Sequence, residues 1–139
     1  MSVINKVNMH AFMRIAADGS EYRYPVYCNF RTGWDTAAFG YAAISTDNKL
    51  LRAEGDVLSG EPSLIYGYNL DDVVKVKVKR YPFGFYNIML KFRINGKTHI
   101  VIFSASQLVI GGGFDEQKKN IEALATELDR LQYSIKNNR

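Results

Sequence analysis

Asn95-Gly96 stands between two runs of alternating residues, and this pair restricts the folding of the chain more than any other feature. Asn-Gly accepts the two left-handed conformations of a type I′ hairpin turn. A two-residue turn there pairs Ile94 with Lys97, Phe92 with His99, Leu90 with Val101 and Ile88 with Phe103. These partners share one apolar face, as a half-buried antiparallel pair requires. Upstream, VVKVKVKRY runs from Val73 to Tyr81 and meets Pro82-Phe83-Gly84. A two-residue turn at that point would set Lys79 against Ile88 and mix the faces. A three-residue loop with Gly84 left-handed instead pairs Val78 with Ile88, Val76 with Leu90 and Val74 with Phe92. A slip of one residue exchanges the faces, so the apolar pattern selects this register. Residues 73–103 are therefore expected to form a three-stranded meander with one continuous core face.

The earlier part of the chain adds further strands. Tyr22, Tyr24, Val26, Cys28 and Phe30 alternate with more polar residues, and Pro25 within that run marks an edge strand or a bulge. AAIS and KLL flank Thr46-Asp47-Asn48, where Asp47-Asn48 is expected to supply the two positive φ angles of a tight turn. AEGDVLSGEP reads as a loop, and LIYGY leads through Asn69-Leu70 to Asp71-Asp72, expected to cap a turn before the Val-Lys strand. Residues 1–20 fit either a loose amphipathic turn (Val3, Val7, Phe12, Ile15) or an edge strand. At the other end, Gly111-Gly112-Gly113 breaks the chain and Asp115 is placed as a helix N-cap. Ile121, Leu124, Ala125, Leu128 and Leu131 then recur at helical spacing over about 115–133, with Asp115 and Lys119 as an i, i+4 pair.

The fold class expected from these elements is mainly β (α+β), a barrel or roll of about seven antiparallel strands capped by one C-terminal helix. With 139 residues, 47% of them apolar, the chain has the size and composition of one globular domain. The core is expected over about residues 20–133, with 1–20 as an N-terminal extension. GYAAISTDNKLL and LIYGYNLDDVVKVKVKR resemble the second hairpin and the following segment of bacterial pleckstrin-homology-like and GRAM-like domains, and the meander and helix follow in the order of that family. The resemblance implies a non-enzymatic module that binds phospholipid headgroups, peptides or other proteins, or that self-assembles. The first hairpin loop, RTGWDTAAFG, departs from the lipid-binding pattern: it offers Arg31 and Trp34 but also Asp35, and no lysine.

Charge is distributed unevenly along this pattern. Residues 73–99 hold seven cations and no carboxylate, so with a net charge of +4 the remainder sums to −3. The register places Lys75, Lys77, Lys79, Lys91 and Arg93 on the face opposite the core, with Lys75 directly across from Lys91. Arg80, Tyr81 and Phe83 adjoin that face, Phe83 at the tip of its loop. These eight residues are the expected binding site. A protein partner or a second copy of the chain is the leading expectation. An anionic lipid surface comes next, approached by the basic strand and its aromatic tip. A small-ligand or enzymatic barrel is third. Nucleic acid is not expected, because the aromatics fall mostly on the core face or at a turn.

The catalytic signals are weak. Cys28 points inward and His99 pairs with core Phe92, so neither makes a nucleophile and base with the other or with His10. Asp71 and Asp72 would aim at opposite faces, and Ser59-Gly60 lacks the preceding glycine of a nucleophile elbow. One cysteine excludes an internal disulfide framework, two histidines leave little for a metal site, and no cofactor is implied. Polar residues interrupt the N-terminus and no run approaches the length of a membrane span. The expected location is cytoplasmic, with the alternative of peripheral attachment to the inner face of the membrane.

Overall fold

A computed structural model describes residues 3–138. Seven strands, β1 (Tyr22–Arg31), β2 (Ala37–Ser45), β3 (Lys49–Gly55), β4 (Pro62–Asn69), β5 (Val73–Tyr81), β6 (Phe85–Ile94) and β7 (Lys97–Ser106), lie between helix α1 (Lys6–Ala17) and helix α2 (Gln117–Asn138). The strands form one antiparallel sheet in the order β4-β3-β2-β1-β7-β6-β5. The sheet is not closed, since β4 and β5 are its two ends. Seven antiparallel strands and a C-terminal helix are the mainly β (α+β) architecture expected from the element order, consistent with a pleckstrin-homology-like roll that is open rather than a closed barrel.

The meander has the register derived above. Ile94↔Lys97, Phe92↔His99, Leu90↔Val101 and Ile88↔Phe103 are all partners, and both Asn95 and Gly96 have positive φ. On the other side Val78 pairs with Ile88 and Val76 with Leu90. The expected Val74–Phe92 pair is replaced by Val73–Phe92, because a bulge inserts Val74 between Val73 and Lys75. Val73 is buried and Val74 is 45% exposed. The turn between β5 and β6 carries two left-handed residues, Phe83 and Gly84.

Other turns depart from expectation. Ile44 pairs with Leu50, so β2 and β3 are joined by three residues, and only Asn48 has positive φ; Asp47 does not. The side chain of Asn69, rather than Asp71 or Asp72, caps the 3-10 turn before β5 by accepting from the Asp71 N–H. Pro25 lies in a bulge between Arg23 and Val26, where its missing N–H breaks no ladder bond, and β1 is a central strand rather than an edge. The residue before it, Tyr24, is left-handed at φ 57°, and the Asn120 amide donates to the Pro25 carbonyl at 3.0 Å.

Two apolar clusters hold the fold together. The first fills the inside of the roll: Val26, Cys28, Phe30, Ile44, Leu50 and Tyr68 meet Val76, Ile88, Leu90, Phe92, Val101 and Phe103, and α2 closes it with Ile121, Leu124, Ala125 and Leu128. The second lies on the outer side of β1–β4, where Met9, Phe12 and Met13 of α1 cover Phe39, Tyr41, Ala43, Leu51 and Ala53. The segment expected as a loose turn or edge strand is thus a regular helix. Asn5 caps it by accepting from the Asn8 N–H, and left-handed Asp18 ends it. Met9, Phe12 and Met13 form its buried stripe, whereas Val7 and Ile15 are exposed. α2 begins two residues later than expected and runs longer. Phe114 is buried against Tyr27, with ring centroids 5.5 Å apart, and Asp115 reaches back to Lys6 at 2.9 Å rather than to Lys119.

Candidate binding face

The alternation of β5 decides what its side of the sheet presents. Val76 turns inward, so Lys75, Lys77 and Lys79 turn outward and are exposed. Across β6 and β7 their rows continue: Lys75–Lys91–Ile100, Lys77–Met89–Ile102, Lys79–Asn87–Ser104, and at the end Tyr81–Phe85–Ser106. Arg93 and Thr98 pair beyond the lysine rows. Among the described residues no helix covers this face as α1 covers β1–β4. It is a cationic border on an apolar centre: Met89 and Ile102 are half-buried and Ile100 is 56% exposed.

Lys75, Lys77, Lys79, Lys91 and Arg93 have no carboxylate partner within ion-pairing distance among the described residues. Lys75 and Lys91 are direct cross-strand neighbours of like charge, an arrangement that destabilises a sheet by up to about 1 kcal/mol without a counter-charge. The face therefore sets up a positive potential that an anionic surface would relieve.

Two of the expected site residues are placed differently from the lysines. Arg80 falls on the inward parity and is committed within the molecule: its Nη2 donates to Asp129 Oδ2 of α2 at 2.6 Å, and its guanidinium stands 5.9 Å from the Tyr86 ring centroid. The hydrogen bond to Asp129 raises its already high pKa, so Arg80 fastens α2 to β5 rather than joining the free face. Phe83 is wholly exposed at the loop tip, and Tyr81 and Phe85, paired with each other below it, are about half exposed. The loop is tethered by the Gln107 N–H, which donates to the Gly84 carbonyl at 2.8 Å.

One part of the face was not apparent from spacing. β1 joins β7 through Asn29↔Ser104 and Phe30↔Phe103, which brings the β1–β2 loop over the sheet. A shallow groove of about 340 Å³ results, lined among others by Arg31, Trp34, Asn87, Ile102 and Ser104. The Arg31 guanidinium donates to the Trp34 carbonyl at 2.9 Å, Trp34 is exposed and Asp35 also lines the groove, so the groove adds one charge of each sign and an indole to the border of the face. The pairing that builds it joins residues some 75 apart, a distance at which local pattern carries no information.

A buried charge pair was also missed. Ala53 and Glu54, expected in a loop, continue β3, and Arg52 and Glu54 both face the inside of the roll. Arg52 Nε and Nη2 reach Glu54 Oε2 at 2.6 and 2.5 Å, Nη1 donates to the Tyr68 hydroxyl at 3.2 Å, and the guanidinium lies 4.8 Å from the Phe30 ring centroid. The groups weighed for catalysis do not converge. Cys28 is fully buried, which pushes its thiol well above its usual pKa. His10 Nδ1 lies 2.7 Å from the Tyr22 hydroxyl at the α1–β1 contact, whereas His99 is on β7. Among the described residues no cluster of three His, Cys, Asp or Glu could hold a metal ion, and no helix is long and apolar enough to cross a membrane.

No family model and no curated protein sequence matches the chain. Among solved structures it is similar to the hSac2 domain from human phosphoinositide phosphatase Sac2, with a TM-score of 0.57 over 94% of this chain and 80% of that one, at 12% identity. At that identity the likeness is one of fold: a sheet-rich roll with a C-terminal helix.

Proposed function

We propose that the chain is a non-enzymatic, pleckstrin-homology-like binding module whose outer β5–β7 face takes an acidic protein partner. The observation that carries this reading is the row of Lys75, Lys77 and Lys79 beside Lys91 and Arg93, all without internal carboxylates, around uncovered Met89, Ile100 and Ile102. Protein interfaces combine an apolar centre with a charged rim, and rim charge accelerates and selects encounter. A symmetric dimer through this face would oppose the same cations to each other, so the partner on it is a different, acidic chain. A single buried cysteine suits a reducing compartment, in keeping with a cytoplasmic module.

An anionic membrane is the second reading. Phe83, fully exposed between half-exposed Tyr81 and Phe85 at the end of the lysine row, favours it, since such rings settle at a lipid interface. Two titrations separate the readings: a fluorescent peptide of alternating glutamate and valine, and vesicles with and without phosphatidylserine, each at low and physiological salt. The peptide is expected to bind in a salt-sensitive way, and binding is expected to weaken about tenfold or more in the folded Lys75→Glu/Lys77→Glu/Lys79→Glu variant. Equal peptide binding by wild type and variant overturns the reading. Binding only to the phosphatidylserine vesicles replaces it with the membrane one.

A further inference from the structure

The groove under the β1–β2 loop is built on polar side chains that the fold itself does not employ. Asn29 of β1 pairs across with Ser104 of β7, and Ser104 with Asn87 of β6, so the three form one row across three strands. Their chain neighbours Phe30, Phe103 and Ile88 are buried in the roll, which turns the row to the outer face. Cross-strand neighbours stand about 5 Å apart, so the row is a short ladder of two carboxamides and a hydroxyl. Among the described residues no hydrogen bond engages the side chain of Asn29, Asn87 or Ser104. Beside the row stands Trp34, the one tryptophan of the chain, lining the groove and 84% exposed. Hydrogen bonds close its loop: the Thr32 N–H donates to the Thr36 carbonyl at 3.0 Å and the two threonine hydroxyls lie 3.0 Å apart. With Arg31 holding the Trp34 carbonyl, the indole is presented at the groove and left uncovered.

These groups suit a ligand with one flat apolar face and a rim of hydrogen-bonding groups. A pyranose ring is built that way: its axial C–H bonds make the flat face, and each hydroxyl both donates and accepts. A carboxamide also does both, so Asn29 and Asn87 can each serve adjacent hydroxyls, with Ser104 between them. Arg31 and Asp35, the charges that line the groove, are opposite in sign and select no ionic group; Lys79, next in the row beyond Asn87, lies outside the lining. A volume of about 340 Å³ is at the small end of the roughly 300–1,000 Å³ of ligand sites, a size for a saccharide. A nucleobase also stacks on an indole, but its polar groups lie in the plane of its ring and leave part of a three-strand ladder unmet. We infer that this groove binds a neutral saccharide, with a sugar ring stacked on Trp34 and its hydroxyls held by Asn29, Asn87 and Ser104. The inference uses none of the lysines of the cationic face and does not depend on the protein-binding reading.

Because Trp34 is the single tryptophan, its fluorescence reports on the groove directly. The wild-type chain is titrated with cellobiose, maltose, lactose and N,N′-diacetylchitobiose, and with sorbitol and adenosine as contrasts, at low and at physiological salt. At least one disaccharide is expected to change the emission saturably and alike at both salts, since screening does not weaken the binding of a neutral ligand. Sorbitol, an open-chain polyol without the flat ring face, is expected to give no saturable change. Asn87→Ala keeps the fluorescent reporter; once shown to be folded by circular dichroism, it is expected to bind that disaccharide about tenfold more weakly. Trp34→Ala, followed by titration calorimetry, is expected to lose it. A response to none of the disaccharides, an equal response to sorbitol, or unchanged affinity in Asn87→Ala overturns the assignment. Saturable binding of adenosine in place of the sugars overturns it as well and gives the groove to nucleobases. The salt-sensitive binding of the acidic peptide is measured separately, so failure here leaves the protein-binding reading standing.

Discussion

The two halves of the sheet use the same strand geometry and end in opposite environments. Strands β2 and β3 are buried on both sides, by the roll interior and by α1. Strands β5 and β6 are buried on one side only, and their other side is the cationic face. The sequence carries this contrast. AAFGYAAIS is nearly continuous in apolar and small residues, as a strand covered twice must be, whereas VKVKVK alternates strictly. A helix that covers one half and leaves the other uncovered assigns stability to the first and leaves the second available for contact. The α1 layer is dry enough that burial pushes the Tyr41 hydroxyl up to about 12.

The contrast is tested most strongly by paired truncations. Leu51 is fully buried under α1, and Leu51→Ala is expected to cost about 3 to 4 kcal/mol in urea unfolding. Ile100 occupies the corresponding outer side of the other half at 56% exposure, and Ile100→Ala is expected to change stability by no more than about 0.5 kcal/mol. Similar costs at the two positions would mean that the outer face of β5–β7 is covered in solution, and the reading of a free face would fail.

The inside of the roll supplies a smaller effect. Side-chain exposures of 12% and 7% leave Arg52 and Glu54 largely desolvated, so Glu54→Gln removes the negative charge that neutralises the guanidinium and leaves it a neutral amide oxygen, the Tyr68 hydroxyl and the Phe30 ring. A loss of about 2 kcal/mol is expected. The double variant Arg52→Met/Glu54→Leu should recover most of it, since an apolar pair of similar volume needs no partner. If the double variant is worse than Glu54→Gln alone, the pair stabilises the roll by more than mutual compensation.

The division between what could be read and what could not follows from the range of the forces. The β5–β6–β7 register was legible because Asn95-Gly96 and Gly84 set the turns and each face is uniform in polarity. Its one error came at Val73-Val74, where two adjacent valines satisfy either parity and only the packing around Phe92 selects the first. α1 was obscured for a related reason. Val3, Val7, Phe12 and Ile15 suggest no consistent stripe because Val7 and Ile15 are outside it. Met9, Phe12, Met13 and Ala17 have the required spacing, in two methionines and an alanine that weigh lightly in a hydrophobic reading. Of the site, the lysine row was visible in the period of β5. The Arg31–Trp34 groove and the commitment of Arg80 to Asp129 depend on contacts between distant segments, β1 with β7 and α2 with β5, which no local pattern encodes.

The least of the expected effects concerns how α1 is held to its half, and it is a pH dependence. His10 projects from α1 towards the Tyr22 hydroxyl of β1, with Lys6 and Arg14 on its own helix and Glu116 ahead of α2. Burial lowers its pKa below the usual 6.5, the cations Lys6 and Arg14 lower it further, and Glu116 opposes them. A folded-state pKa below the unfolded one means that the unfolded chain takes up the proton first. The contribution is then fully present above about pH 7 and is lost as the pH falls through about 6.5 towards the folded value. Asp47, held low first by Ser45, and Asp115, held low first by Lys6, act in the same direction but in the acidic range of carboxylates, below this window. Between about pH 7.5 and 5.5 the melting temperature is therefore expected to fall slightly in the wild type and to stay flatter in His10→Gln. Parallel profiles would show that α1 is not held through His10, leaving its apolar stripe and the Lys6–Asp115 pair as the contacts that cover β1–β4.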